Sequence, residues 1–199
     1  MELPEGAYYK VNIYGIDIGD GIVLIDCGDE DYVKNLYKSV RKAFKKPVIA
    51  VYLTHGHADH AGGGAYFQRK GVPVYSHSYE VPLIESGAYD PSVPDQFTYT
   101  GFTPDYLYAY AEEEEGFTIE YTPGHTMGSS SLIVEGKYAF VGDLLSTGGK
   151  PHVQRLFAED WSSIQESINR VKSAQPEWIY SGHGKKPISY QELISLEVE

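Results

Sequence analysis

Apolar positions along the chain change their spacing several times, and each change marks a new element. Residues 8–18 and 22–26 are β-rich and separated by Gly19-Asp20-Gly21, which predicts a hairpin. From Asp31 the period lengthens. Val33, Leu36, Tyr37, Val40 and Phe44 recur at helical spacing with lysines and Arg41 on the other face, and Pro47 closes the segment. Residues 48–53 are continuously apolar, as expected of a buried strand. A short helix is expected over 59–70, ended by Gly71, and another strand over 72–76.

Residues 78–115 break this regularity. They contain Pro82, Pro91 and Pro94 and a crowd of tyrosines (Tyr79, Tyr89, Tyr99, Tyr106, Tyr108, Tyr110), and end in Glu112-Glu113-Glu114-Glu115. Two readings stand side by side. One is a partly helical lid or substrate loop, because long irregular segments in compact domains often serve binding. The other is a surface excursion whose tyrosines cover a helix. The glutamates are expected on a solvated face. Strands are then predicted over 117–121, 130–135 and 138–141, the last two turned by Gly136-Lys137. A helix carries Trp161, Ile164, Ile168 and Val171 with Asp160 as N-cap, a strand covers 178–180, and a short helix 190–196. Strands and helices alternate throughout, which predicts an α/β chain forming one domain over 1–199.

Bulk properties narrow the function. The 199 residues are 42% hydrophobic and 22% charged, ordinary for a globular protein. Tyrosine is unusual, at 18 against seven Phe. The net charge of −12, with no basic cluster longer than two residues, weighs against a nucleic-acid partner. Cys27 is the one cysteine, so no internal disulfide is expected, and its place after an apolar run suits a small buried side chain. The N-terminal residues carry no basic segment or apolar core of a signal peptide, and no apolar run reaches membrane-spanning length. A cytoplasmic protein with a small-molecule substrate and no membrane partner is expected; the oligomeric state is left open.

The chemistry is concentrated in the turn after the 48–53 strand, where His55, Gly56, His57, Ala58, Asp59 and His60 place four metal-ligating side chains in six residues. Three further candidates follow beside glycines: His125 after Gly124, Asp143 after Gly142, and His183 between Gly182 and Gly184. Each lies just past an apolar strand, and neighbouring strand ends in one sheet bring distant residues together. Five imidazoles and two carboxylates suit two divalent cations, which make hydroxide from water at neutral pH and polarise an electrophile. His77 and His152 match no such pattern. Lys185 and Lys186 either hold a substrate carboxylate or form a solvated pair.

Asp26 after a hydrophobic strand, His55-x-His57-x-Asp59-His60, Pro123-Gly124-His125-Thr126-x-Gly128, Gly142-Asp143 and Gly182-His183-Gly184 stand in the order found in the metallo-β-lactamase fold superfamily, which the chain resembles over nearly its full length. The resemblance implies a four-layered αβ/βα sandwich. It implies His55, His57 and His125 on one ion and Asp59, His60 and His183 on the other, with Asp143 bridging both. Asp26 would orient a ligand from behind. Zinc is the expected ion, with iron or an iron–zinc mixture also compatible. Asp59 and Asp143 are the residues to which the resemblance gives catalytic roles, Asp59 holding or shuttling a proton.

The bridging aspartate resembles the glyoxalase II branch, which hydrolyses thioesters. The chain ends sixteen residues after His183, so the helical extension that grips glutathione in typical members of that branch is not expected. Lactonases share the seven ligands but normally carry a tyrosine three residues after the bridging aspartate, where this chain has Ser146. The aspartate itself counts against β-lactam hydrolysis. Persulfide dioxygenases of this fold, with a single iron on residues equivalent to His55, His125 and Asp143, supply an oxidoreductase alternative. A metal-binding protein without useful turnover is a third.

Overall fold

Short strands of two to five residues build two sheets in this computed structural model, which describes residues 11–87, 98–109, 112–114 and 116–198. The chain divides into two units, Ile13–Tyr108 and Met1–Asn12 with Ala109–Glu199. Among the described residues no helix is long and apolar enough to cross a membrane.

The first unit holds a five-stranded sheet in sequence order: β1 (Tyr14–Asp17), β2 (Ile22–Ile25), β3 (Val48–Tyr52), β4 (Val74–His77) and β5 (Tyr106–Tyr108). The expected hairpin is present, with β1 antiparallel to β2 and Asp17 Oδ1 accepting from Gly19 N at 2.9 Å in its turn. Residues 8–10 of that expected strand lie outside the described residues. The remaining pairs are parallel, which places the carboxyl ends of β2, β3, β4 and β5 along one edge. All four residues of β2 are buried, the mark of a central strand. Helix α1 (Val33–Phe44) lays Val33 and Val40 on a core with Leu24, Val51 and Phe67, and ends at Lys45 in a left-handed conformation. Each such side chain stabilises the unit by about 1.5–3 kcal/mol on full burial.

Two expectations change in this unit. The helix expected over 59–70 is two helices, α2 (Ala58–Ala61) and α3 (Gly64–Arg69). Gly62 and Gly63 break it because the chain there runs against the loop after β2. Gly63 N donates to Gly28 O and His60 O accepts from Cys27 N, both at 2.8 Å, and a Cβ on Gly63 would lie 2.5 Å from Cys27 O. The irregular stretch begins with a 3₁₀ turn (Ser78–Glu80) and α4 (Val81–Ser86), and its residues 106–108 are β5, a strand in the sheet. Tyr79 and Tyr106 are exposed; Tyr99 and Tyr108 are buried, and Tyr108 Oη donates to Leu53 O at 2.9 Å. Residues 88–97, 110, 111 and 115, with Tyr89, Pro91, Pro94 and Tyr110 of the expected excursion, lie outside the described residues.

The second unit holds six strands in the order β11-β10-β9-β8-β7-β6: β6 (Glu112–Glu114), β7 (Phe117–Tyr121), β8 (Ser130–Val134), β9 (Tyr138–Phe140), β10 (Trp178–Tyr180) and β11 (Ile188–Ser189). Only the β9–β10 pair is parallel. Glu112–Glu114 thus form a strand at the end of this sheet, paired to β7. Helix α5 (Trp161–Ser173) is capped by Asp160, whose side chain accepts from Ser162 N, and packs Ile164, Ile168 and Val171 on Ile133, Val141 and Ile179. A capping box of Ser189 and Glu192 starts α6 (Tyr190–Ile194).

Candidate metal centre

In the first unit the carboxyl ends of β2 and β3 set the chemistry. Asp26 follows β2 with φ 62°, a left-handed conformation uncommon for a residue with a side chain, and is only 2% exposed. Its carboxylate explains the strain. Oδ1 accepts from Thr54 N at 2.8 Å, and Oδ2 lies 2.9 Å from Thr54 Oγ1 and 2.7 Å from His60 Nδ1. A carboxylate only accepts, so Thr54 Oγ1 and His60 Nδ1 both donate to it. The Thr54 oxygen, its proton spent on Asp26, then accepts from His55 Nδ1 at 3.1 Å. Both imidazoles are held with the proton on Nδ1, which makes Nε2 the basic nitrogen of each ring.

The rings converge. His55 and His57 have centroids 4.5 Å apart at 84°, and His55 and His60 are 4.1 Å apart at 46°. His55, His57 and His60 are 1%, 7% and 0% exposed. Asp59 is more open, with 29% of its side chain exposed and Oδ2 3.7 Å from His60 Nε2. The three imidazoles and the Asp59 carboxylate are nitrogen and oxygen donors of the kind that hold divalent cations, with His55 and His60 oriented from outside. Cys27 is not part of this donor set. It is fully buried, its Sγ donates to His60 O at 3.3 Å, and burial pushes its thiol well above the usual range.

In the second unit three loops bring His125, Asp143 and His183 together. His125 follows β7 in a turn that rests on the N-terminal half of α5: Asp160 N donates to Gly124 O at 3.0 Å and Ser167 Oγ to Pro123 O at 2.6 Å. Gly124 has φ 138° and faces Ile164 so closely that a side chain there would collide with it. Asp143 follows β9 and His183 follows β10, the parallel pair, so both leave their strands at the same edge. Gly182 N donates to Gly142 O at 2.7 Å, joining the two loops. Asp143 Oδ2 sits 3.6 Å from His125 Nε2 and 3.2 Å from His183 Nε2. One carboxylate oxygen between two imidazoles is the arrangement a bridging ligand needs.

Several supporting residues carry no recognisable sequence signal. Thr54, Glu80 and Tyr99 hold the ligand turn of the first unit, and Asn12 donates through Nδ2 to Ser181 O at 3.1 Å and Gly184 O at 2.9 Å around His183. Of the residues left without a role, His77 is buried and accepts from Tyr79 N at 3.1 Å, capping the 3₁₀ turn. His152 is exposed, its Nδ1 donating to Lys150 O at 2.9 Å, and Lys185 and Lys186 are both exposed.

The family described as the metallo-beta-lactamase superfamily matches residues 8–183. An N-acyl homoserine lactonase of Bacillus cereus is 27% identical over 135 residues, 67% of this chain and 51% of the lactonase, so the aligned stretch spans about half of that relative. The crystal structure of BLEG-1 B3 metallo-beta-lactamase superposes with a TM-score of 0.77 at 25% identity, covering 93% of this chain and 91% of that one. That of TTHA1623 in a di-iron-bound form gives 0.74 at 28% identity, covering 92% and 91%.

Proposed function

The chain belongs to the metallo-β-lactamase superfamily and has its fold, and from that premise we propose that it is a metal-dependent hydrolase of small acyl substrates, thioesters first and lactones second. The observation that carries this is Asp143 Oδ2 within 3.2 and 3.6 Å of two imidazole nitrogens, the posture of a carboxylate shared between ions. In this proposal His55, His57 and His125 hold one divalent ion, Asp59, His60 and His183 hold the other, and Asp143 bridges them. Zinc is assigned first. The same nitrogen and oxygen donors accept iron, and the di-iron form of TTHA1623 keeps that metal in view.

When bound, such ions bring the pKa of a water to about 7 and polarise a carbonyl oxygen. The protein's own residues do the rest. Asp59, the most exposed carboxylate of the set, holds or passes a proton at its side-chain oxygen. Asp26 keeps the Nδ1 proton of His60 in place, which leaves His60 Nε2 free to hold the ion. No serine nucleophile is required. Ser129 Oγ is occupied with Thr126 N at 2.9 Å and Thr126 Oγ1 at 2.7 Å, and Ser130 and Ser131 open β8.

Thioesters rank first because the bridging aspartate resembles the glyoxalase II branch and the tyrosine usual in lactonases is replaced by Ser146. Lactones rank second through the lactonase relative, with Ser146 where that branch carries tyrosine. A soluble, cytoplasmic setting with a small-molecule substrate completes the proposal. The test is a panel of acyl thioesters and acyl lactones assayed with protein purified without chelator, before and after metal removal. Turnover of at least one class, lost on chelation and restored by zinc or iron, is expected. Turnover indifferent to chelation, or none on either class, would overturn the proposal.

A further inference from the structure

Gly56 separates His55 from His57, and a glycine between two ligands is the most permissive hinge the backbone has. The structure removes that freedom from both sides. The Gly56 N–H donates to Glu80 Oε2 at 2.6 Å, and the Gly56 carbonyl accepts from Tyr99 Oη at 2.8 Å. The two peptide planes that join His55 to His57 are therefore each gripped by a side chain remote in sequence. Glu80 is 2% exposed and ends the 3₁₀ turn after β4; Tyr99 is 8% exposed. Burying a carboxylate costs several kcal/mol unless it is well bonded, and the 2.6 Å bond to Gly56 N is a short one. Burial pushes the Tyr99 hydroxyl far above its ordinary range and keeps it a donor. The fit is tight: a Cβ on Gly56 would lie 2.9 Å from Glu80 Oε2 and 3.1 Å from both Leu83 Cδ2 and Ile84 Cγ1.

We infer that Glu80 and Tyr99 are positioning residues that lock the His55-Gly56-His57 turn in its ligating geometry, so that metal affinity depends on them although neither is a ligand. The inference rests on the metal reading of this turn. It deepens that reading by assigning a role to two residues from the irregular segment after β4. Loss of an outer partner of a metal ligand typically costs about 10–100-fold in metal affinity, and a similar loss is expected here.

The experiment is a zinc titration of metal-stripped protein against a chromophoric chelator, with the apo-protein Tm measured in parallel. Tyr99→Phe removes one hydroxyl and leaves the ring; Glu80→Gln keeps the shape and a carbonyl acceptor; Glu80→Ala removes both. Tyr108→Phe deletes a comparable buried hydroxyl that bonds Leu53 O, outside the turn, and serves as control. Tyr99→Phe and Glu80→Ala are expected to weaken zinc binding about tenfold or more, Glu80→Gln to recover most of the loss over Glu80→Ala, and Tyr108→Phe to lower Tm with affinity unchanged. If Tyr99→Phe and Glu80→Ala lower Tm while zinc affinity stays within about twofold of wild type, the residues are structural only and the inference fails. If either variant does not fold, the affinity of the other decides by the same criterion; if neither folds, the two residues are folding determinants and the inference fails. Wild-type protein that binds no zinc or iron would instead defeat the metal reading itself.

Discussion

The turn at residues 55–60 carries four candidate ligands within six residues, whereas His125, Asp143 and His183 come from three separate loops of the other unit. The two groups are also supported differently. Around His55 and His60 the support is side-chain hydrogen bonding that ends on one buried, left-handed aspartate. Around His125 and His183 it falls on the loop backbone: glycines in close approach, loop-to-loop hydrogen bonds, and side chains such as Asn12, Ser167 and Ser181 donating to loop carbonyls. A contiguous turn has few contacts of its own and must borrow rigidity from Asp26, Glu80 and Tyr99. Ligands issuing from paired strand ends inherit it from the sheet.

That difference orders the expected effects of mutation. The largest belongs to His57→Ala, which is expected to abolish hydrolysis and weaken metal affinity by more than the roughly 10–100-fold of an outer partner, while circular dichroism shows an intact fold. Unchanged turnover would remove His57 from the site. Asp143→Ala follows, and equilibrium dialysis is expected to find both ions depleted; loss of one ion alone would argue against bridging. Asp26→Asn tests the borrowed rigidity. Asparagine tolerates the left-handed backbone but carries no charge to hold the His60 proton, so metal affinity is expected to drop about 10–100-fold with Tm little altered. A loss of Tm with affinity intact would make Asp26 a folding residue. The smallest effect is Ser189→Ala at the start of α6, expected to cost about 1 kcal/mol in a denaturation curve and nothing in turnover.

The same contrast explains what was legible in the sequence. Candidate ligands stand out in both groups because glycines flank them and each follows an apolar strand. Strands 117–121 and 178–180 and the helix bearing Ile164 and Ile168 follow directly from local periodicity, and the structure has them at those positions. The single helix expected over 59–70 fails for a tertiary reason. Gly62 and Gly63 look like weak helix residues locally, and only the approach of Cys27 and Gly28 shows why the ladder must break there. Residues 106–108 were expected in an irregular excursion because a short edge strand with exposed tyrosine and leucine has no period long enough to read. Glu80 carries no local mark of its place, since nothing local distinguishes a buried glutamate from a solvated one, and Tyr99 is one tyrosine in a crowd.

Metal content bears most directly on the central claim. Protein purified without chelators or a metal-binding tag should carry close to two zinc ions, or two of zinc and iron together, per chain by elemental analysis. No bound metal would contradict the account. A single iron per chain would contradict the dinuclear hydrolase, favour the mononuclear oxidoreductase, and make oxygen uptake with a persulfide the next assay.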